Sequence, residues 1–205
     1  MKPLKFIHIT KTGGTSIEKA GHAHGLLWGM NDKEYIKSIR KHSKIKSYSP
    51  WHNILTDKHL QRKYDWFMVV RNPYTRMLSE YYCKWGGIGD KNVHHTKEQM
   101  NQYLIDQIKN RNKYQDHYVE QYRYLFKGSY ISVLKFENLE SHFDKLTKQY
   151  DLGHIRLQKL NSAQDHNNEL RFTVNDFSKE LIELINKVYD KDFKYFGYTK
   201  IHHHK

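Results

Sequence analysis

Lys11-Thr12-Gly13-Gly14-Thr15-Ser16 is the segment of this sequence with the clearest chemistry. Two adjacent glycines let a backbone turn tightly and approach an anion, and successive N–H groups in such a turn point inward. A helix that starts there brings its positive end to the same spot. Thr12, Thr15 and Ser16 add hydroxyl donors and Lys11 adds a mobile charge, so the segment reads as a cradle for phosphate. It is not a Walker A loop, because the lysine precedes the glycines and GxxxxGK[ST] occurs nowhere in the chain. Nor does it fit GxGxxG. A second constellation follows at Arg71 and, eight residues later, Ser79. An arginine fork with a serine hydroxyl suits a second, separate phosphate.

Elements that could hold these groups surround them. Lys5–Ile9 is a short β-rich run before the glycine turn, and Ile17 to Ala20 continues it as helix, giving strand, turn, helix. Trp66–Val70 is a continuous apolar run of the kind found in buried parallel strands. It ends at Arg71, with Pro73 near the start of the next helix, where a missing N–H does no harm. Tyr130–Phe136 is a third strand feeding an amphipathic stretch through Leu146. Met100 to Ile108 has helical spacing, and a last helix is predicted over roughly Phe177 to Asp190. Strands that alternate with helices predict an α/β fold: a single P-loop-like domain with a central, mainly parallel sheet flanked by helices. The domain is expected over residues 1–200, with 201–205 as a basic, histidine-containing tail that carries no function.

Composition narrows the class. The 205 residues carry 35 Lys+Arg against 22 Asp+Glu, a formal charge of +13, so the chain should attract anionic ligands. Charge and 16 tyrosines also suit a nucleic-acid-binding module, yet such a module gives no reason for two separated phosphate loops. No apolar run is long enough to span a bilayer. The single cysteine, Cys83, cannot form an intramolecular disulfide or a Cys-rich zinc site.

With these residues in view, Phe6–Ser16 (FIHITKTGGTS) resembles the 5′-phosphosulfate loop, and Val69–Tyr82 (VVRNPYTRMLSEYY) the 3′-phosphate motif, of sulfotransferases that use 3′-phosphoadenosine 5′-phosphosulfate (PAPS). The carbohydrate branch is the most similar. Leu134–Leu139 is similar to the family's third-strand segment, and Asp116-His117-Tyr118 with Gln121 to its His-aromatic-x-x-Gln element. Tyr189–Tyr198 is similar to its Tyr-x-x-Asp-Phe-x-x-Phe-Gly-Tyr signature. The resemblance runs in order over most of the chain. These enzymes often carry an amino-terminal membrane anchor. Met1 followed by a short lead points instead to a soluble, cytoplasmic enzyme of microbial or viral type, a lumenal catalytic domain being the alternative.

The resemblance implies transfer of SO3 from PAPS to an acceptor hydroxyl, most readily of a carbohydrate, with 3′,5′-adenosine bisphosphate as product. Thr12, Gly13, Gly14, Thr15 and Ser16 with Lys11 would hold the 5′ end of the nucleotide, and Arg71 and Ser79 the 3′-phosphate. Lys11 would also stabilise the charge that develops on the bridging oxygen. A loose, in-line transition state puts most of the catalysis into positioning and charge. Less charge accumulates than on a triphosphate, so no metal is expected. His52, between the two motifs, stands where similar enzymes carry their catalytic base, with His117 as the second choice. His8 is expected to pack inside the first strand. The loop from Lys84 to Lys97 could cover the acceptor, and Asn161-Ser162 resembles a loop that returns to the cofactor. The remaining positive charge would solubilise the surface or steer an acidic glycan. A P-loop kinase or nucleotide hydrolase is the alternative on the same general fold; it would need a metal-holding Ser/Thr after a loop lysine in a Walker A pattern and an Asp on a neighbouring strand, and the chain offers a convincing case of neither.

Overall fold

Three parallel strands form the sheet of the computed structural model, which describes residues 1–42, 49–85, 87–89, 94–111, 117–158 and 172–202. They are β1 (Leu4–Ile7), β2 (Asp65–Val70) and β3 (Ile131–Lys135), in the order β1-β2-β3, with Phe6 opposite Phe67 and Val69 opposite Leu134. β2 is central, and its last five residues are buried, as its unbroken apolar run demands. The fold is the expected α/β class, a parallel sheet flanked by helices.

Two units divide the chain. The first comprises Met1–Arg71 and Arg123–Leu160. One face of its sheet presents Leu4, Phe6, Phe67, Val69 and Leu134, which side-chain alternation places together. Onto it pack Ile17 and Ala20 of α1 (Gly14–Ala23) and Phe143 and Leu146 of α6 (Leu139–Gln149). Trp28 meets Phe67 edge-on with centroids 4.9 Å apart, and its indole N–H donates to the Leu4 carbonyl at 2.9 Å. On the opposite face Trp66 is ringed by Tyr35 of α2 (Lys33–His42), Tyr64 and Phe126. Tyr64 ends α3 (Lys58–Lys63), which Asp57 caps through the N–H groups of His59 and Leu60.

The second unit comprises Asn72–Tyr122 and Asn161–Lys205. Its core joins α4 (Pro73–Tyr81), α5 (Lys97–Lys109), α7 (Lys179–Val188) and α8 (Asp190–Phe196) through Met77, Tyr81, Leu104, Ile108, Leu181, Ile185 and Phe193. Asn72 caps α4 at the Tyr74 N–H with Pro73 in the first turn, and Thr96 and Gln99 form a reciprocal capping box on α5. α7 is the helix expected over roughly Phe177 to Asp190, and a further short helix, α8, follows it after Tyr189. Tyr189 does not end the structure but anchors it: its hydroxyl donates to the Tyr118 carbonyl at 2.7 Å. Asp192, fully buried, accepts the N–H groups of Gln121 and Tyr122 at 2.9 and 2.8 Å. Burial holds its carboxyl above the usual range, against those two bonds that favour the ionised form. The His-aromatic-x-x-Gln element and the terminal signature are therefore partners. The start of the expected tail is also tied down, since the Ile201 N–H bonds the Tyr74 hydroxyl and its carbonyl accepts from Asn186.

The buried polar centre of this unit is Arg76. Its guanidinium donates to the Val119 carbonyl at 2.7 Å and lies 3.5 Å from the Glu80 carboxylate, both side chains being fully buried. Removing one partner of such a pair strands a charge, whereas an exposed pair such as Lys148–Asp144 has water as a substitute. Arg76→Met is therefore expected to lower unfolding stability by about 3–5 kcal/mol in urea titration. Lys148→Ala should cost less than about 1 kcal/mol. Among the described residues no helix is long and apolar enough to cross a membrane.

Candidate active site

The glycine turn begins earlier than the sequence suggests. β1 ends at Ile7, and His8 and Ile9 have left the sheet. Thr12, fully buried, donates its hydroxyl to the Ile9 carbonyl at 2.8 Å and so closes the turn. Its side chain serves the loop's shape. Gly13 caps α1 with φ +87, which a side chain rarely adopts, and a Cβ there would stand 3.2 Å from Phe136 and Leu139. Gly14 is the first helical residue, and a Cβ on it would fall 2.2 Å from the His8 imidazole. The first glycine therefore supplies a conformation and the second supplies space. Thr15 is half-buried and Ser16 buried in the first turn of α1. The opening N–H groups of a helix lack α-helical partners one turn back; here that of Ser16 bonds the Gly13 carbonyl at 3.1 Å, and those of Gly14 and Thr15 follow a lysine-bearing turn. Such a set of donors suits an anionic, phosphate-bearing group.

Lys11 itself has φ +60, an uncommon conformation for a residue with a side chain. Its carbonyl accepts a hydrogen bond at 3.3 Å from the guanidinium of Arg71, the residue after β2. That guanidinium also stacks over the Phe136 ring at 4.3 Å. Two residues singled out separately in the sequence are thus joined, and Phe136 supports both Arg71 and Gly13. Ser79 lies half-buried on α4, in the second unit.

His52 closes the short 3-10 turn Pro50–His52. The Tyr124 hydroxyl donates to its carbonyl at 2.7 Å. Its ring lies edge to face with two others, His8 at 4.4 Å and Trp51 at 5.4 Å between centroids. His8 differs from its expected place. It is buried, but past the strand, with Nδ1 2.8 Å from Oε1 of a buried Glu18. The sequence reading missed this pair. The available signal was helical spacing, since Glu18 follows Gly14 by one turn of α1 and so shares its face.

His117, the second choice for a base, points Nδ1 at the Glu80 carboxylate at 2.7 Å. It is thereby part of the buried ionic cluster around Arg76. Among the described residues, Glu80, Cys83 and His117 also bring one potential metal ligand each to within 4.8 Å of one another. The guanidinium of Arg76 already neutralises that carboxylate, and the imidazole of His117 occupies it at 2.7 Å. Asp116, Asn161 and Ser162 lie outside the described residues, as do Gly86 and residues 90–93 of the loop after α4. The described start of that loop turns back on α4, the Ile88 N–H donating to the Tyr81 carbonyl, while Trp85 is exposed.

A family model described as the sulfotransferase family matches residues 2–199, across both units. No curated protein and no solved structure matches the chain.

Proposed function

The chain belongs to the sulfotransferase family, and from that premise we propose that it moves a sulfuryl group from PAPS to a hydroxyl of a carbohydrate. The observation that carries the reading is the Arg71–Lys11 bond, which ties the glycine turn to the end of β2. PAPS has an anionic group at each end of its ribose, and these two loops offer donors and fixed positive charge for both. PAPS, when bound, supplies an activated sulfuryl group with a good leaving phosphate.

The protein's own contribution is positioning and charge. The turn from Lys11 to Ser16 holds the 5′ side with backbone N–H groups, and Lys11 neutralises charge on the oxygen that leaves sulfur. Arg71 and Ser79 hold the 3′-phosphate. His52 takes the proton from the acceptor hydroxyl, for which a group that titrates near neutrality is suited. No step in this scheme calls on a metal ion. The family match across both units supports reading residues 1–200 as one functional domain. The charge of +13 leaves an excess beyond Lys11 and Arg71 that favours an acidic glycan as acceptor.

The test is transfer of labelled sulfate from PAPS across a glycan panel, with and without chelator, beside thermal stabilisation by 3′,5′-adenosine bisphosphate, ATP–Mg or an oligonucleotide. The bisphosphate is expected to raise the melting temperature most, and chelator to leave transfer unchanged. Stabilisation by the oligonucleotide alone would sink the sulfotransferase mechanism. His52→Ala should bind the bisphosphate as the parent does and lose transfer by a factor of about 10²–10⁴. A variant with the parent rate assigns the base elsewhere.

A further inference from the structure

We propose that Glu18, acting through His8, orients His52 and raises its basicity, a role that rests on reading His52 as the base. β1 ends one residue before His8, so the His8 ring is free of the sheet and lies against Gly14. Its Nδ1 is 2.8 Å from Glu18 Oε1, and the same oxygen accepts the Met30 N–H at 2.8 Å. Glu18 is 1% exposed and His8 6%. A buried carboxylate and imidazole that served packing alone would be costly against an apolar pair of equal volume. Their arrangement has a further effect. A carboxylate that accepts from Nδ1–H fixes the tautomer of the imidazole and leaves Nε2 as the acceptor. The ring so fixed meets His52 at 4.4 Å between centroids and 79° between planes.

Trp51 contacts the His52 ring at 5.4 Å, and Tyr124 fixes the His52 carbonyl, so ring and backbone are both held. His8 and Glu18 are positioning residues here, not catalytic ones. The charged and titratable groups on the elements packed around them are also in view. Lys5 of β1 pairs with Asp32 before α2 at 2.6 Å. Tyr35 on α2 is a buried phenol whose ionisation is pushed far up by burial and by the charges of Tyr124, Asp32 and Glu18. Glu18 thus places a buried carboxylate on the His8 ring that lies against His52.

The test needs no acceptor. Histidine titrations by nuclear magnetic resonance on the nucleotide-free full chain would compare the parent with Glu18→Gln and His8→Asn. Loss of the carboxylate disfavours the imidazolium, so Glu18→Gln is expected to lower the His52 midpoint by about one pH unit. His8→Asn keeps a donor for Glu18 and removes the ring between them, and should change the His52 tautomer ratio without unfolding the chain. It remains the deciding variant if Glu18→Gln fails to fold. A folded variant whose His52 midpoint and tautomer match the parent overturns the proposal. Failure of His52 as the base is a separate result, read from transfer by His52→Ala, and leaves the titration as the judge of the coupling.

Discussion

Lys11→Ala is expected to reduce sulfate transfer by about 10²–10³-fold, with far less effect on binding of 3′,5′-adenosine bisphosphate. The argument is one of timing. The product nucleotide lacks the sulfuryl group, so a lysine that acts on charge appearing between sulfur and the leaving oxygen has little to do in that complex. Its backbone supplies an internal control. Lys11 sits at φ +60, where a residue with a side chain is strained and glycine is at ease. Lys11→Gly relieves roughly 1–2 kcal/mol of left-handed strain and gives back about 0.4–1 kcal/mol through the freer unfolded chain, so unfolding stability should hold or rise slightly while transfer is lost as in the alanine variant. Urea unfolding beside labelled-sulfate transfer measures both. A glycine variant that keeps the parent rate would show that the lysine side chain has no part in the chemistry.

Arg71→Ala is expected to weaken 3′,5′-adenosine bisphosphate by about 30-fold to 10³-fold, since charge-assisted bonds to a phosphate are lost together with the bond to the Lys11 carbonyl. Arg71→Lys separates the contributions. A lysine keeps the charge but gives up the planar fork and the stack over Phe136, so it should recover only part of the affinity. Calorimetric titration with the bisphosphate reads both variants. Unaltered affinity in Arg71→Ala would remove the arginine from the nucleotide site.

What the sequence made legible were features decided locally or by composition. The apolar run Trp66–Val70 could only be a buried strand, Pro73 and Thr96 mark helix starts, and paired glycines before a helix mark a tight turn. The end of β1 was misplaced by two residues because His8 and Ile9 carry β-like composition. What pulls them from the sheet is a carboxylate ten residues on and a threonine hydroxyl three residues on. The short helix α8 beyond Tyr189 was likewise hidden, since the contacts that fix it are long-range, the Tyr189 phenol on the Tyr118 carbonyl and Asp192 on the N–H groups of Gln121 and Tyr122. His117 meets the carboxylate of Glu80, 37 positions earlier, and no spacing near His117 announces that contact. Pairings of this kind depend on which helices pack together, and short-range pattern carries no record of that.

The clasp between Asp192 and the N–H groups of Gln121 and Tyr122 spans 71 and 70 positions of chain. During synthesis α4 and α5 emerge well before α7 and α8. Until they arrive, Met100, Leu104 and Ile108 have no helix from the far end of the chain to cover them. The second unit must therefore complete its core late, with a sticky intermediate in the meantime, and the yield of soluble chain in a cell will follow how quickly that final helical pair is delivered.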